Sequence, residues 1–144
     1  MSIHSIAVSG LRPIRDMIHL HSLSFSPSQN GLAITIELLA SSLPGAPVLN
    51  LERQYVGFIS EFDVLHPLES ERELSQVTAE DIMARSHLSI SSSRTIKEAV
   101  ALMKTNHIWV APVEEDGVVI GCVTRKDLLR AWIGLGLDQP VYAK

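Results

Sequence analysis

The chain lacks a second cysteine, a surplus of basic residues and any long apolar run. With Cys122 as its one cysteine it cannot form an internal disulfide, so a reduced, cytoplasmic setting is expected. A net charge of −4 provides no basic face for nucleic acid. No apolar stretch approaches the roughly 20 residues that span a membrane. Neither nucleic acid nor a membrane is therefore expected as a partner.

Motifs of catalysis are also missing. The sequence has no Gly-x-Ser-x-Gly elbow, no phosphate loop and no His-Glu-x-x-His pair. Glu114, Glu115 and Asp116 form a run of carboxylates on a turn, which is normally solvated. His19 and His21 alternate as metal ligands on a strand do, but no third ligand lies nearby, so surface or pocket positions are favoured. We expect no enzyme, no catalytic residues, no metal and no required cofactor.

What the chain does contain is apolar residues. Hydrophobic residues make up 46% of it and charged residues 19%, which is typical of a folded protein and not of a disordered one. The mean hydropathy of +0.20 is high for so short a soluble chain. This value indicates apolar surface that a second copy or a partner would cover.

The chain repeats itself at an offset of about 65 residues. Segment 23–25 matches 88–90, and 46–48 matches 111–113. Gly57 and Asp63 match Gly121 and Asp127. The offset stays constant to within one residue across the chain, and the single-residue shifts fall in loops. We therefore interpret the sequence as two copies of one unit.

Each copy shows the same order of predicted elements. A lead-in with Asp and Met (14–18, 79–83) precedes a short strand (23–25, 88–90) and an amphipathic helix. Asn30 is the expected N-cap of that helix in the first copy, and Thr95 with Glu98 is a capping box in the second. Two strands follow (47–51 with 55–59, 112–113 with 118–123), then a closing helix (61–68, 125–133). A charged linker, 69–73, separates the copies, and Gly134 and Gly136 end the last helix.

These elements predict an α/β fold of the α+β type, with tandem β-α-β-β-α repeats. The repeats are placed at 1–72 and 73–138, with a tail at 139–144. One such unit leaves its sheet uncovered, so the two copies are expected to pack as a pseudo-two-fold pair around a shared core.

The order of motifs, found twice, resembles the cystathionine-β-synthase-type (CBS) domain. In the second copy the resemblance rests on Asp81-Ile82-Met83, Glu98-Ala99, Pro112-Val113 and the segment GCVTRKD at 121–127. It covers about Leu11 to Leu137. The two copies together resemble a CBS pair, also called a Bateman module.

The resemblance implies a cleft between the copies that takes AMP, ADP, ATP or S-adenosylmethionine. In this family the Asp of an S/T-x-x-D motif binds the ribose hydroxyls, which points here to Thr124 with Asp127 and to Ser60 with Asp63. A carboxylate suits both hydroxyls of a ribose, since each of its oxygens accepts hydrogen bonds. The helix that opens at Arg125 favours a phosphate at its N-terminus. The expected adenine contacts precede or include the proline of the second copy: Trp109, Val110, Ala111 and Pro112.

Several alternatives stay open at this point. Both S/T-x-x-D motifs have the form of a capping box, in which Asp only completes the helix start. Trp109 and Val110, like Pro44 and Gly45, stand where phosphate-binding members often carry Arg or His. A less anionic adenine ligand is therefore expected, with Arg125, Lys126 and His107 as substitute phosphate contacts. Trp109 either stacks on a ligand ring or packs at the interface of the pair.

Two functions follow from the resemblance. The first is a regulatory module that binds an adenine-containing ligand and modulates a separate effector protein. The second is a structural or dimerisation module with no nucleotide. Both imply a homodimer in which two pairs form a flat disc, with Trp132, Ile133 and Leu135 as candidate contacts.

Overall fold

The structure, a computed structural model, describes residues 9–85 and 87–135. Its helices are α1 (Ile14–Met17), α2 (Gly31–Ser41), α3 (Glu61–Glu69), α4 (Ala79–Ile82), α5 (Ile96–Thr105) and α6 (Arg125–Trp132), with a 3-10 turn at Leu74–Gln76. Its strands are β1 (Gly45–Leu49), β2 (Tyr55–Ser60), β3 (Ile90–Ser91), β4 (Val110–Glu115) and β5 (Val118–Thr124). The predicted α+β fold with repeated elements is confirmed. Gly136 and the tail at 139–144 lie outside the described residues.

The strands form one small sheet in each copy. In the first copy β1 pairs antiparallel with β2. In the second copy β4 pairs antiparallel with β5 and parallel with β3. The predicted strand at 23–25 is reduced to a single parallel bridge between Phe25 and Val48, which takes the place that β3 has in the second copy.

Strand β1 ends two residues earlier than the sequence predicts. The side-chain oxygen of Asn50 accepts hydrogen bonds from the backbone N–H groups of Glu52 and Gln54, at 3.0 and 2.9 Å. Such local side-chain bonds stabilise a turn and compete with the ladder of a sheet. Leu51 consequently leaves the strand and is 98% exposed.

The predicted helix ends are present where the structure describes them. Asn30 accepts from the N–H of Ala33 at 2.9 Å, and Thr95 with Glu98 forms a complete capping box. After α6, Gly134 has a φ of 98°, a left-handed conformation that glycine adopts at little cost.

The two larger hydrophobic clusters each combine residues of both copies. Ile14 and Ile18 of the first lead-in pack into the cluster of the second copy, beside Ile96 and Leu128. Ala79 and Met83 of the second lead-in pack into the cluster of the first copy. The lead-ins are thus exchanged between the copies, and neither core is complete without the other. The repeat boundary between residues 72 and 73 stays a prediction.

Backbone pairing holds each exchanged lead-in against the closing strand of the other copy. His21 and Cys122 exchange two N–H···O bonds of 2.9 and 2.8 Å. Ala84 and Phe58 exchange two bonds of 2.8 Å at the equivalent place. Phe58 and Cys122 are 64 residues apart and His21 and Ala84 are 63 apart, close to the offset of the repeat, as the expected pseudo-two-fold arrangement requires.

The glycines of the repeat are explained by the crossings. A Cβ on Gly121 would lie 2.6 Å from the Cβ of Leu20 and 2.9 Å from the carbonyl oxygen of His21. A Cβ on Gly57 would collide with Met83. Only a residue without a side chain lets the other copy's lead-in approach so closely.

Among the described residues, no helix is long and apolar enough to cross a bilayer.

Candidate functional site

Both S/T-x-x-D motifs begin a helix directly after a strand, and all their capping bonds are present. Asp127 Oδ2 accepts from the N–H of Thr124 at 2.8 Å, while Thr124 Oγ1 accepts from the N–H of Asp127 at 3.2 Å. In the first copy Asp63 Oδ2 accepts from the N–H of Ser60 at 2.8 Å. A third capping box, Asp81 with Thr78, begins α4 and is exposed. Helix capping therefore accounts for part of the motif, and the surroundings of each carboxylate decide what else it does.

Asp127 lies in a cleft between the two copies, which we name the Asp127 cleft. Its volume is about 390 Å³. The loop after α2 contributes Ser42 and Pro44 from the first copy. The second copy contributes Trp109 before β4 and the start of α6. A ligand in this cleft would contact both copies, as the resemblance implies.

The two oxygens of the Asp127 carboxylate have different partners. Oδ2 accepts from the backbone N–H of Thr124 at 2.8 Å, from its hydroxyl at 2.9 Å and from His21 Nε2 at 2.9 Å. Among the described residues, the contact of Oδ1 is with the guanidinium of Arg130, whose Nη1 lies 3.7 Å away. Burial favours the neutral acid, but the hydrogen bonds from His21 and Thr124 outweigh it and lower the pKa of Asp127. The carboxylate is therefore ionised near neutral pH and has one oxygen with room for a ligand.

The Asp127 cleft carries more positive than negative charge. Arg125, Lys126 and Arg130 line it beside the one carboxylate. The guanidinium of Arg125 lies 4.6 Å from the centre of the Trp109 ring, in a cation–π contact. The hydrogen bond to Asp127 raises the pKa of His21, partly offset by burial. The cleft thus places the Asp127 carboxylate beside a cationic wall that attracts anions.

A second cleft of about 410 Å³, the Ser60 cleft, lies beside the start of α3. It is mainly aromatic and apolar; the residues that matter here are Phe58, Ser60, Glu61, Phe62, Trp109 and Val110. Of the residues lining it, none is Arg or Lys. The histidines that line the Ser60 cleft are His87 and His107. His107, which was expected as a substitute phosphate contact, therefore does not line the Asp127 cleft.

His87 closes the inner side of the Ser60 cleft. Its ring stacks on Phe58, with centroids 3.7 Å apart and an interplanar angle of 4°. Its Nε2 lies 3.4 Å from the carbonyl oxygen of Val110, to which it donates. Burial lowers the pKa of His87 despite the opposing effects of Val110 and Asp63. The ring is therefore a neutral part of the cleft wall at pH 7.

The structure brings only some of the predicted ligand residues to a cleft. Thr124, Arg125, Asp127 and Trp109 meet in the Asp127 cleft. Ser60 and Val110 lie in the Ser60 cleft, and Trp109, 58% exposed, borders both. Three residues line neither of the two clefts described: Asp63, Ala111 and Pro112.

Several residues of the Asp127 cleft were not predicted as ligand contacts, and two of them, Arg130 and His21, contact the Asp127 carboxylate. Arg130 lies one helical turn after Asp127, and its i+3 spacing on α6 is a signal that the sequence does contain. His21 lies far from Asp127 along the chain and reaches it only because the lead-ins are exchanged. No pattern in the sequence indicates that exchange.

Within residues 9–85 and 87–135, no three His, Cys, Asp or Glu side chains cluster in a way that could hold a metal ion. Cys122 is buried, and burial raises the pKa of its thiol to about 12. It stays a neutral thiol and is not a nucleophile at pH 7.

The family model of the CBS domain matches residues 79–134. The uncharacterized protein MJ1426 of Methanocaldococcus jannaschii is 30% identical over 138 residues, which cover 72% of this chain and 82% of that protein. MJ1404 of the same organism is 30% identical over 95 residues, 65% of this chain. The uncharacterized protein MK0525 of Methanopyrus kandleri is 27% identical over 107 residues, 73% of this chain. The chain spans only 23% of the length of MJ1404 and 55% of the length of MK0525.

Solved structures share the fold at low identity. The structure of CBSX2 in complex with AMP has a TM-score of 0.70 and 24% identity, and the match covers 83% of this chain and 95% of that one. The CBS domain pair of MJ0100, in complex with 5′-methylthioadenosine and S-adenosyl-L-methionine, has a TM-score of 0.71 and 20% identity, covering 83% and 94%.

Proposed function

The chain belongs to the CBS domain family, and we propose that it is a non-catalytic regulatory module that binds an adenine-containing ligand between its repeats and modulates a partner protein. The observation that carries this proposal is the Asp127 carboxylate. It is ionised, it lies in a cleft between the copies, and its Oδ1 has no hydrogen-bond donor closer than 3.7 Å among the described contacts. A capping box alone does not require a cleft, and the exposed Asp81 box, whose carboxyl pKa is also lowered, lines neither of the two clefts.

The charge of the Asp127 cleft favours a phosphate-bearing ligand. Arg125, Lys126 and Arg130 supply three cations within reach of the ribose acceptor. AMP, ADP or ATP would neutralise them, whereas S-adenosylmethionine would add a sulfonium cation. The less anionic ligand expected from Trp109 and Val110 is therefore not our choice for this cleft. The CBSX2 complex with AMP supports this ligand class by analogy.

We also propose that the module is a cytoplasmic homodimer and acts on a separate effector. The helices α2, α3 and α6 expose large apolar side chains, namely Leu32, Ile36, Leu39, Phe62, Leu65, Leu68, Leu129 and Ile133. A second copy packed against these helices would cover them. The same surface favours the alternative function, a dimerisation module with no nucleotide.

Calorimetry and thermal shift with AMP, ADP, ATP and S-adenosylmethionine test the proposal. A ligand at 100 times its Kd stabilises the protein by about 2.7 kcal/mol. Asp127→Asn keeps an oxygen that caps the helix but removes the charge, so AMP should bind about 10- to 100-fold more weakly, as for a lost hydrogen bond to a charged group. Asp81→Asn is the matched control, because it makes the same change in a capping box outside both clefts.

Equal loss of AMP affinity in Asp127→Asn and Asp81→Asn would reduce the motif to a helix cap. If none of the four compounds binds and sedimentation shows a stable dimer, the dimerisation module is the better description. A stable monomer would count against that alternative.

A further inference from the structure

We propose that His21 competes with the ligand for Asp127, the proposed acceptor of the ribose hydroxyls. Its imidazole donates a hydrogen bond to Asp127 Oδ2 and has to leave that oxygen when a ribose diol binds. His21 is thereby a positioning and specificity-determining residue for one of the two clefts. The inference rests on the proposed function of the Asp127 cleft.

The geometry of the carboxylate favours this competition. Asp127 Oδ2 already accepts three hydrogen bonds, two from Thr124 and one from His21, so it has no place for a further donor. A ribose presents two neighbouring hydroxyls, and a carboxylate binds both in parallel when each hydroxyl donates to a different oxygen: Oδ1 is open to one of them, and Oδ2 has to lose a donor to accept the other. Release of the imidazole frees Oδ2 for the second hydroxyl, while the two bonds from Thr124 keep the helix capped.

The competitor occurs in one cleft only. In the first copy, Asp63 Oδ2 accepts from the N–H and the hydroxyl of Ser60, at 2.8 and 3.1 Å. The residue that pairs with Phe58 at that crossing is Ala84, whereas the one that pairs with Cys122 is His21. Ala84 has no polar side chain to offer. At one crossing, His21 therefore places a hydrogen-bond donor beside the Asp127 carboxylate. At the equivalent crossing, Ala84 has only a methyl group.

The competition depends on the charge of the imidazole. The charged groups that surround His21 are Asp127, which favours its protonated form, and Arg130, which opposes it. Arg125 and Lys126 line the same cleft, and the Cys122 thiol on the paired strand, whose pKa burial raises to about 12, stays neutral. Asp127 stays ionised above acid pH. As pH rises through the titration of His21, the imidazole loses its charge, its bond to Oδ2 weakens, and the diol competes more easily.

Adenosine is the probe that tests the proposal, because it carries the diol without a phosphate that would titrate over the same range. Its Kd is measured by calorimetry at pH 6 and pH 8 for wild type, His21→Ala and His21→Gln. We expect His21→Ala to bind about tenfold more tightly than wild type at pH 6, which corresponds to ~1.4 kcal/mol. Wild-type affinity should rise toward pH 8, and that of His21→Ala should not change.

His21→Gln separates the hydrogen bond from the charge. Its neutral amide nitrogen still donates to Oδ2, as the neutral imidazole does, so adenosine affinity should be close to that of wild type at pH 8 and should not depend on pH. His19→Ala is the matched control, since His19 is exposed and lines neither cleft. Nuclear magnetic resonance of the imidazole provides a check that needs no variant at position 21. Saturating adenosine should lower the pKa of His21 toward 6.5, and Asp127→Asn should do the same without ligand.

Weaker adenosine binding by His21→Ala than by wild type, or wild-type affinity that falls toward pH 8, would overturn the competition and make His21 a ligand contact. In that case, AMP binding to wild type would still leave the proposed function intact. Binding by His21→Ala alone would support the competition in its strongest form. If neither protein binds adenosine or AMP, the competition and the proposed function fail together.

Discussion

The close crossing of β5 by the first lead-in can be tested with Gly121→Ala. The new methyl group would sit 2.6 Å from the Cβ of Leu20 and 2.9 Å from the carbonyl oxygen of His21. Neither atom is the end of a flexible side chain, so the lead-in itself has to move. That movement would stretch the paired hydrogen bonds between His21 and Cys122 and pull the imidazole away from Asp127.

The expected cost follows from overpacking of a well-filled site, about 1–3 kcal/mol. Gly121 also has a φ of 157°, which alanine adopts only with strain, so backbone conformation adds to this cost. The shift of the His21 titration, and not the loss of stability alone, therefore reports on the crossing. We expect Gly121→Ala to lower the free energy of unfolding, and the pKa of His21 to fall toward 6.5.

Urea unfolding and an imidazole titration by nuclear magnetic resonance measure the two effects. Gly117→Ala is the control: Gly117 has a φ of 83°, and a methyl group added there would meet nothing within 4 Å, so its cost is one of backbone conformation alone. It should lower stability and leave the pKa of His21 unchanged. A Gly121→Ala protein as stable as wild type, with an unchanged His21 titration, would refute the exchanged arrangement of the lead-ins.

Two further predictions address the core and the histidines. Ile14→Ala should lower the free energy of unfolding in urea by about 2–5 kcal/mol, because Ile14 is fully buried in the cluster of the second copy. Leu11→Ala, at a site that is 62% exposed, should change it by less than about 0.5 kcal/mol. Equal effects of the two substitutions would contradict the exchange. The pKa of His21 should lie above 6.5 and that of His87 below it. The stability that His21 contributes is then complete below pH 6.5 and is lost as pH rises through its titration. Protonation of His87 has the opposite effect and destabilises the protein below pH 6.5. Urea unfolding of wild type and His21→Gln at pH 6 and pH 9 checks the direction predicted for His21.

The order of elements was predictable because each is determined by local residues. Thr95 and Glu98 mark the start of α5, and Asn30 marks the start of α2, through hydrogen bonds within four residues. The limits of β1 were less predictable, since Asn50 forms a turn that competes with the strand. The repeat itself was visible because several segments, among them 46–48 and 111–113, match at a nearly constant offset.

The composition of the site was predictable only in part. Thr124, Arg125 and Asp127 lie within one turn of a helix, so their proximity follows from local structure. The partner of Asp127 does not: His21 arrives from the other copy, through backbone pairing with Cys122. Local patterns say where an element begins and which face is apolar, but they do not say which copy an element packs against. Gly57 and Gly121 lie at the two crossings, but a glycine in the sequence does not say which segment passes over it.

The exchange of lead-ins also indicates how binding in one cleft would reach the rest of the module. His21 belongs to a segment whose Ile14 and Ile18 complete the core of the second copy, while its imidazole contacts the carboxylate at the start of α6. A ligand that binds Asp127 only after His21 has left acts on both at once. The free energy needed to free the carboxylate is subtracted from ligand affinity, and the released side chain changes the contact between the lead-in and α6. A partner that recognises this contact would distinguish the two states, and by reciprocity its binding would shift the affinity for the ligand by the same factor.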